Sequence, residues 1–439
     1  MRLRSPCRLA LLLAVALAGC GSSSSDTRTD AGRSSDASHV DAHKGPTADA
    51  GKDTGKSATH DASTDAAVVH DTGLDVGDPG DTFLAIPFEA GSGVRIDGGS
   101  APITGVSPGQ WTWVPFPEAL CRDGSTTGIG LNLIAGATKV VLFFEGGGAC
   151  FDQLTCNLNP SHFAQTDFDQ FFGVVDGGAG SGLGILDRTN AANPVKDWSF
   201  VYVPYCTGDI HAGNAPAAMV PGVSTPQAFV GYVNVDLYLQ RLVPTFSAAT
   251  QVLLTGVSGG GFGAAANYVH VQRAFGSIPV DLIDDSGPFM ENPYLATCLQ
   301  TQVRTLWNMD TTVGVDCAGA CSSTATFFMD FAKHVAKTSP ARTLGLVEST
   351  DDGTIRNFFG FSDDSCQAFA PEDGGLFAAG LTDIRTQFAS DSTFGSFYFP
   401  GTDHTSLEDP VFYTRTAGTT PLTTWVGQMI AGSASNVGP

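Results

Sequence analysis

Five short apolar runs, each separated from the next by enough chain for a helical crossover, constrain this sequence most. They are Lys139–Glu145 (KVVLFFE), Ser199–Pro204 (SFVYVP), Gln251–Gly256 (QVLLTG), Pro279–Asp284 (PVDLID) and Thr343–Glu348 (TLGLVE). A strand with one wet face alternates apolar and polar residues, whereas a near-continuous apolar run is covered on both faces. Helices are expected between the strands over Ala228–Leu242, Gly260–Phe275 and Thr324–Val335. In the last of these Phe327, Phe328, Phe331 and Val335 fall at helical spacing, a stripe that reads as core. Strands joined by helical crossovers imply a mainly parallel α/β sheet flanked by helices. The strands straddle every long gap, so residues 83–439 read as one domain with insertions rather than two domains.

The third run leads into Thr255-Gly256-Val257-Ser258-Gly259-Gly260-Gly261-Phe262. Gly256 and Gly260 flank Ser258 in a G-x-S-x-G arrangement, in which a strand turns sharply into a helix and leaves the serine hydroxyl exposed. With 53 glycines in 439 residues the five-residue match alone is weak, and the strand before it and helical segment after it supply the context. A serine needs a base to take its proton and a carboxylate to orient that base, and in this kind of fold the chain order is serine, acid, histidine. Asp352, after the TLGLVE strand, and His404, in Gly401-Thr-Asp-His-Thr, meet that order. Asp351 stays open as the alternative acid. Asp403 is the less attractive acid, because the side chain next to His404 is poorly placed to reach its ring nitrogen, and His211, His270 and His334 are rival bases. Gly146-Gly147-Gly148-Ala149 directly follows the first strand and can aim backbone N–H groups at an oxyanion, with the N–H of Gly259 as a further donor. The glycine triplet lacks the Gly-Lys-Ser/Thr ending of a phosphate loop. Together these features predict an α/β-hydrolase-like fold carrying serine-dependent ester chemistry, with no cofactor and no metal.

Lys plus Arg total 22 against 44 for Asp plus Glu, so at a formal charge of -22 nucleic acid is excluded as a natural partner. Arg2, Arg4 and Arg8 precede the apolar run Leu9–Ala18, and Leu17-Ala18-Gly19-Cys20 resembles the end of a bacterial lipoprotein signal. That resemblance implies a signal peptide over 1–19, a lipid-modified Cys20, attachment to a membrane through it and a place in the bacterial cell envelope, at the outer membrane. Residues 20–82 are rich in Ser, Asp, Ala, Thr and Gly, with almost no aromatic side chain before Phe83, and read as a solvated tether. Its histidines, His39, His43, His60 and His70, are too irregularly spaced for a metal site. The eight later cysteines favour disulfides in an exported chain, with local staples expected for Cys150 with Cys156 and for Cys317 with Cys321.

The stretches Phe144-Glu-Gly-Gly-Gly-Ala-Cys150 and Pro204-Tyr-Cys-Thr-Gly-Asp-Ile-His211, the serine elbow through Asn267, and the acid and histidine turns resemble the pectin acetylesterase/Notum family of serine carboxylesterases. The matching stretches are spread over much of residues 115–407. The resemblance implies Ser258 as nucleophile, Asp352 as acid, His404 as base, and Gly148, Ala149 and Gly259 as oxyanion donors. It also implies that Cys150 and Cys206 form disulfides flanking the site. Family members usually carry tryptophan at the position of Ala149 and alanine at that of Gly259, departures that preserve the backbone donors and alter the pocket. The expected substrate is an extracellular polysaccharide bearing acetyl or other short acyl esters. The alternatives are a lipase-like, protein-deacylating or polyester-cleaving esterase, and a non-catalytic carbohydrate-binding or scaffold protein on the same fold.

Overall fold

The computed structural model describes residues 101–173, 183–361, 366 and 370–439. The expected signal peptide, Cys20, the tether with its histidines and the domain start at Phe83 lie outside the described residues. All described residues belong to one compact unit, Val76–Pro439.

The main sheet is built from β1 (Thr112–Leu120), β2 (Thr126–Asn132), β3 (Lys139–Phe144), β4 (Ser199–Val203), β5 (Gln251–Val257), β6 (Val280–Asp285), β7 (Leu344–Ser349), β8 (Phe394–Phe399) and β9 (Asn436–Val437). Their spatial order is β1-β2-β4-β3-β5-β6-β7-β8-β9. β2 runs antiparallel to both β1 and β4, and every later pairing, from β4 with β3 to β8 with β9, is parallel. This is the α/β-hydrolase-like architecture expected. The five apolar runs are strands because both faces are covered. Val140, Leu142, Phe144, Val252 and Leu254 point into one core, while Val141, Phe143, Leu253 and Ile283 point into another on the opposite face. That is the period-two alternation of a strand with no wet side.

The helices that matter for the site are α1 (Gly231–Thr245), α2 (Gly259–Ala266), α3 (Tyr268–Phe275), α4 (Thr297–Leu306), α5 (Phe327–Thr338), α6 (Ile355–Gly360), α7 (Gly374–Gln387) and α8 (Leu422–Ile430). The helix expected over Gly260–Phe275 is two helices that meet at Asn267. Its side-chain amide donates to the carbonyls of Gly263 and His211, each at 2.9 Å, competing with a continuous helical ladder. In α5 the residues Phe327, Phe328, Phe331 and Val335 are all buried, as core residues should be. β1 and β2 are not among the five strands expected from the apolar runs. β1 contains two prolines, which its place at the sheet edge tolerates.

Cys150 pairs with Cys156 and Cys317 with Cys321, the two local staples expected. Cys206 pairs with Cys121 and Cys298 with Cys366.

Candidate active site

The parallel register sets the site. Phe144 lies opposite Gly256, Val257 opposite Asp285, and Asp285 opposite Val347, so the loops leaving β3, β5, β6 and β7 emerge together at the carboxyl ends of the strands. Open α/β sheets bind their ligands at this end. Ser258 sits between β5 and α2 with φ 56° and ψ -126°, a left-side conformation costly for any residue with a side chain. The turn is possible because its neighbours lack side chains. A Cβ on Gly256 would stand 2.5 Å from the carbonyl carbon of Gly260, and one on Gly260 would stand 2.5 Å from the carbonyl oxygen of Glu145.

Ser258 shares an apolar pocket with Gly148, Ala149 and Gly259. Gly259 occupies the first position of α2, where the N–H has no partner inside the helix and the helix dipole favours negative charge. Among the described residues no hydrogen bond uses the N–H of Gly148 or Ala149, so both remain available to an oxyanion. The loop that carries them is held from outside. Cys150 N–H donates to the Gly208 carbonyl at 2.7 Å, Trp307 Nε1 donates to the Cys150 carbonyl at 3.0 Å, and Tyr205 Oη donates to the Gly148 carbonyl at 2.9 Å. The Cys150–Cys156 disulfide closes the turn immediately beyond.

Asp352 and His404, the candidate acid and base, lie side by side. Asp352 is fully buried, and its Oδ2 lies 2.8 Å from His404 Nδ1. Its Oδ1 accepts the N–H groups of Thr354 and Ile355, each at 2.8 Å, so the carboxylate also caps α6 and cannot swing away. Asp351, the open alternative, faces Arg356 Nη1 and is about half exposed. Asp403 pairs with Arg415 at 2.8 Å. The rival histidines are engaged elsewhere. His211 is buried between the rings of Phe144 and Tyr205 with Nε2 2.9 Å from the Glu145 carbonyl, and burial drives its pKa down to about 4. His270 lies on α3, 3.1 Å from Asp236 and stacked on Tyr232. His334 lies on α5, its pKa lowered by desolvation.

Among the described residues no hydrogen bond joins Ser258 Oγ to the His404 ring. Such contacts are commonly long in a resting enzyme and tighten when substrate binds. The two are nevertheless linked through one residue absent from the sequence reading. The Asp285 carbonyl accepts the Ser258 N–H at 2.8 Å, and its Oδ2 accepts the N–H groups of Ser406 at 2.7 Å and Leu407 at 2.6 Å. The signal available was Asp284-Asp285-Ser286-Gly287, an acidic turn at the end of a buried strand. Burial pushes the Asp285 carboxyl up to about 6, against the opposing pull of the Ser406 and Leu407 N–H groups and the nearby His404. Also unforeseen was Glu348, buried near the end of β7; burial first and the nearby Asp352 second hold its carboxyl well above the usual carboxylate range. Of the pocket's aromatic walls, Phe328 was expected only as core, and Phe151, Phe262 and Phe358 were assigned no role.

Comparison with known proteins fits this geometry. The model of the family described as pectinacetylesterase matches residues 111–339. The chain is 30% identical over 189 residues to palmitoleoyl-protein carboxylesterase notum2 of Xenopus laevis, covering 39% of this chain and 35% of that protein. It is 29% identical over 181 residues to palmitoleoyl-protein carboxylesterase NOTUM of Mus musculus, covering 39% and 34% respectively. The chain thus spans about a third of the length of the relatives it matches. The crystal structure of the Wnt deacylase Notum from Drosophila superposes with a TM-score of 0.55 at 16% identity, covering 75% of this chain and 95% of that one, a likeness of fold. The matched relatives are animal proteins, which overturns the expected place in a bacterial envelope. Among the described residues no helix is long and apolar enough to cross a membrane. The sheet, the serine elbow and the matched segment, which takes in the oxyanion loop, support a hydrolytic enzyme of the serine-esterase class, and the chain belongs to the pectinacetylesterase family.

Proposed function

We propose that the protein is a serine carboxylesterase that removes a long apolar acyl chain from a hydroxyl side chain of another protein, with residues 83–439 as its catalytic domain. One observation carries this reading: the pocket at Ser258 is walled by Phe151, Phe262, Leu295, Leu299, Phe328 and Phe358 and encloses about 540 Å³ of free space, part of it open to solvent. Walls of this chemistry match methylenes and offer a sugar few hydrogen-bonding partners. The names of the matched relatives, palmitoleoyl-protein carboxylesterases, favour the same alternative over the polysaccharide deacetylase first expected.

In the proposed mechanism Ser258 Oγ attacks the ester carbonyl while His404 Nε2 takes its proton. Asp352 keeps the other ring proton on Nδ1 and stabilises the imidazolium. The N–H groups of Gly148, Ala149 and Gly259 receive the oxyanion. His404 then protonates the departing alkoxide, leaving an acyl-serine. A water deprotonated by His404 attacks that ester, the acid departs, and Ser258 regains its proton.

The test is a panel of aryl esters from C2 to C16 with wild type and Ser258→Ala. The variant should lose at least about 10³-fold in kcat. For wild type, kcat/KM should climb with chain length until the pocket is full, since a buried methylene contributes about 0.8 kcal/mol, up to roughly fourfold in rate. A profile that peaks at acetate returns the polysaccharide-deacetylase reading. Full turnover by Ser258→Ala removes the nucleophile assignment.

A further inference from the structure

The histidine of the site is carried by a loop whose backbone is unfavourable by itself: Thr405, next to His404, has φ 64°, in the left-handed region that a β-branched residue seldom occupies. Such a conformation persists only where its surroundings hold it. The holding groups come from the end of β6. Asp285 Oδ2 accepts two successive N–H groups of the loop, from Ser406 and Leu407, and Ser286 Oγ accepts the N–H of Thr405 at 3.3 Å. Ser286 Oγ in turn donates to Asp285 Oδ1 at 3.2 Å. Both residues are fully buried, and Ser286 is itself at φ 64°, with its N–H on the Val347 carbonyl. On its other side Asp285 holds the nucleophile turn, through its carbonyl and the Ser258 N–H. One residue therefore grips the serine turn by its main chain and the histidine loop by its side chain.

We propose that Asp285, supported by Ser286, is a positioning residue that sets the distance and angle between Ser258 and His404. The proposal rests on the esterase reading of the site and adds to it a group that touches neither the substrate nor the reacting atoms. Burying a carboxyl here costs desolvation, and the two short N–H bonds offset that cost only while the loop is docked. Without the clamp, Thr405–Leu407 are free to relax out of the strained turn and carry the imidazole away from the hydroxyl.

The experiment uses the full chain with variants Asp285→Ala, Asp285→Asn and Ser286→Ala, each checked by near-UV circular dichroism and thermal melting. With a short-chain aryl ester, Asp285→Ala should lower kcat by about 10²-fold, the penalty of a misplacement near 1 Å, with KM within about threefold. Labelling of Ser258 by an aryl phosphonate should slow by a similar factor. Asp285→Asn, whose amide oxygen can still accept from Ser406 and Leu407 while its NH₂ faces Ser286, should keep at least about a third of kcat. A folded Asp285→Ala protein with wild-type kcat and labelling rate overturns the proposal, and so does an Asn variant as impaired as the Ala variant. If the alanine variant does not fold, Ser286→Ala decides: a loss of about three- to tenfold in kcat at constant KM supports the clamp, and no loss overturns it. Ser258→Ala run alongside separates the two levels, because turnover without that hydroxyl defeats the esterase reading itself, whatever the Asp285 variants do.

Discussion

Replacing Asp352 by asparagine probes the acid more sharply than deleting it. In the native carboxylate one oxygen, Oδ1, accepts both the Thr354 and the Ile355 N–H at 2.8 Å, and the other, Oδ2, faces His404 Nδ1 at 2.8 Å. An amide has a single acceptor oxygen. Two backbone donors claim it, so the asparagine oxygen takes the Oδ1 place and its NH₂ group turns to the imidazole. A donor at that place needs a bare Nδ1, which moves the ring proton to Nε2, the nitrogen that must be empty to receive the serine proton. The expected cost is about 10³–10⁴ in kcat, or roughly 4–5.5 kcal/mol of transition-state stabilisation, the scale of a wrong-tautomer histidine in a triad. Stability should scarcely change, because the capping oxygen survives. Asp352→Ala should lose as much activity and in addition the cap, at about 0.5–2 kcal/mol. Asp351→Asn should stay within about threefold of wild type, since that carboxylate serves Arg356 at the surface. Steady-state hydrolysis of an aryl ester with thermal melts of all three variants measures each quantity. An Asp352→Asn enzyme within tenfold of wild type would refute the tautomer argument, and an equal loss in Asp351→Asn would reassign the acid.

Two further predictions concern the pocket and the pH dependence of stability. Ala149→Trp restores the side chain usual in the family to a pocket wall beside Gly148, where the Phe358 ring already approaches closely; kcat/KM for C12–C16 esters should fall at least about tenfold while that for acetate stays within about threefold, as a filled apolar pocket demands. Equal losses at every chain length would place the effect on the oxyanion loop instead. Glu145, whose Oε2 accepts the Tyr205 N–H at 2.8 Å, is pushed up to about 7 from its ordinary 4.5, chiefly by burial, so the folded state favours its neutral form. That contribution to stability is complete below about pH 4.5 and is lost as pH rises through about 7, and Glu408, pushed up to about 8 by burial and then by Glu145, acts in the same direction. The wild-type Tm should therefore fall between pH 5 and 8, and Glu145→Gln should fall less; parallel curves would show that Glu145 does not titrate in this range.

What the sequence disclosed and what it hid follow from how far apart the interacting groups lie along the chain. The strands β3 to β7 were legible because burial on both faces leaves a continuous apolar run, and the serine elbow because Gly256 and Gly260 answer a steric demand made by their immediate surroundings. Disulfides closing four- and six-residue separations were legible for the same reason, while Cys121–Cys206 spans 85 residues and needed the fold to bring its ends together. The choice between Asp351 and Asp352 was not local. It turns on which side chain leaves the β7 end toward the His404 loop, and the one that does also caps α6, a constraint invisible before that helix is placed. Asp285 was hidden more deeply, because its partners Ser406 and Leu407 lie 121 and 122 residues away and are backbone N–H groups, which carry no mark in the sequence. The pocket walls follow suit: Phe151, Leu299, Phe328 and Phe358 come from four separate segments, each of which reads as ordinary core, and only the fold brings them together beside Ser258. An apolar side chain gives no sign of whether its partner will be another side chain or a substrate, and so the chemistry was readable from the residues while the size of its substrate was not.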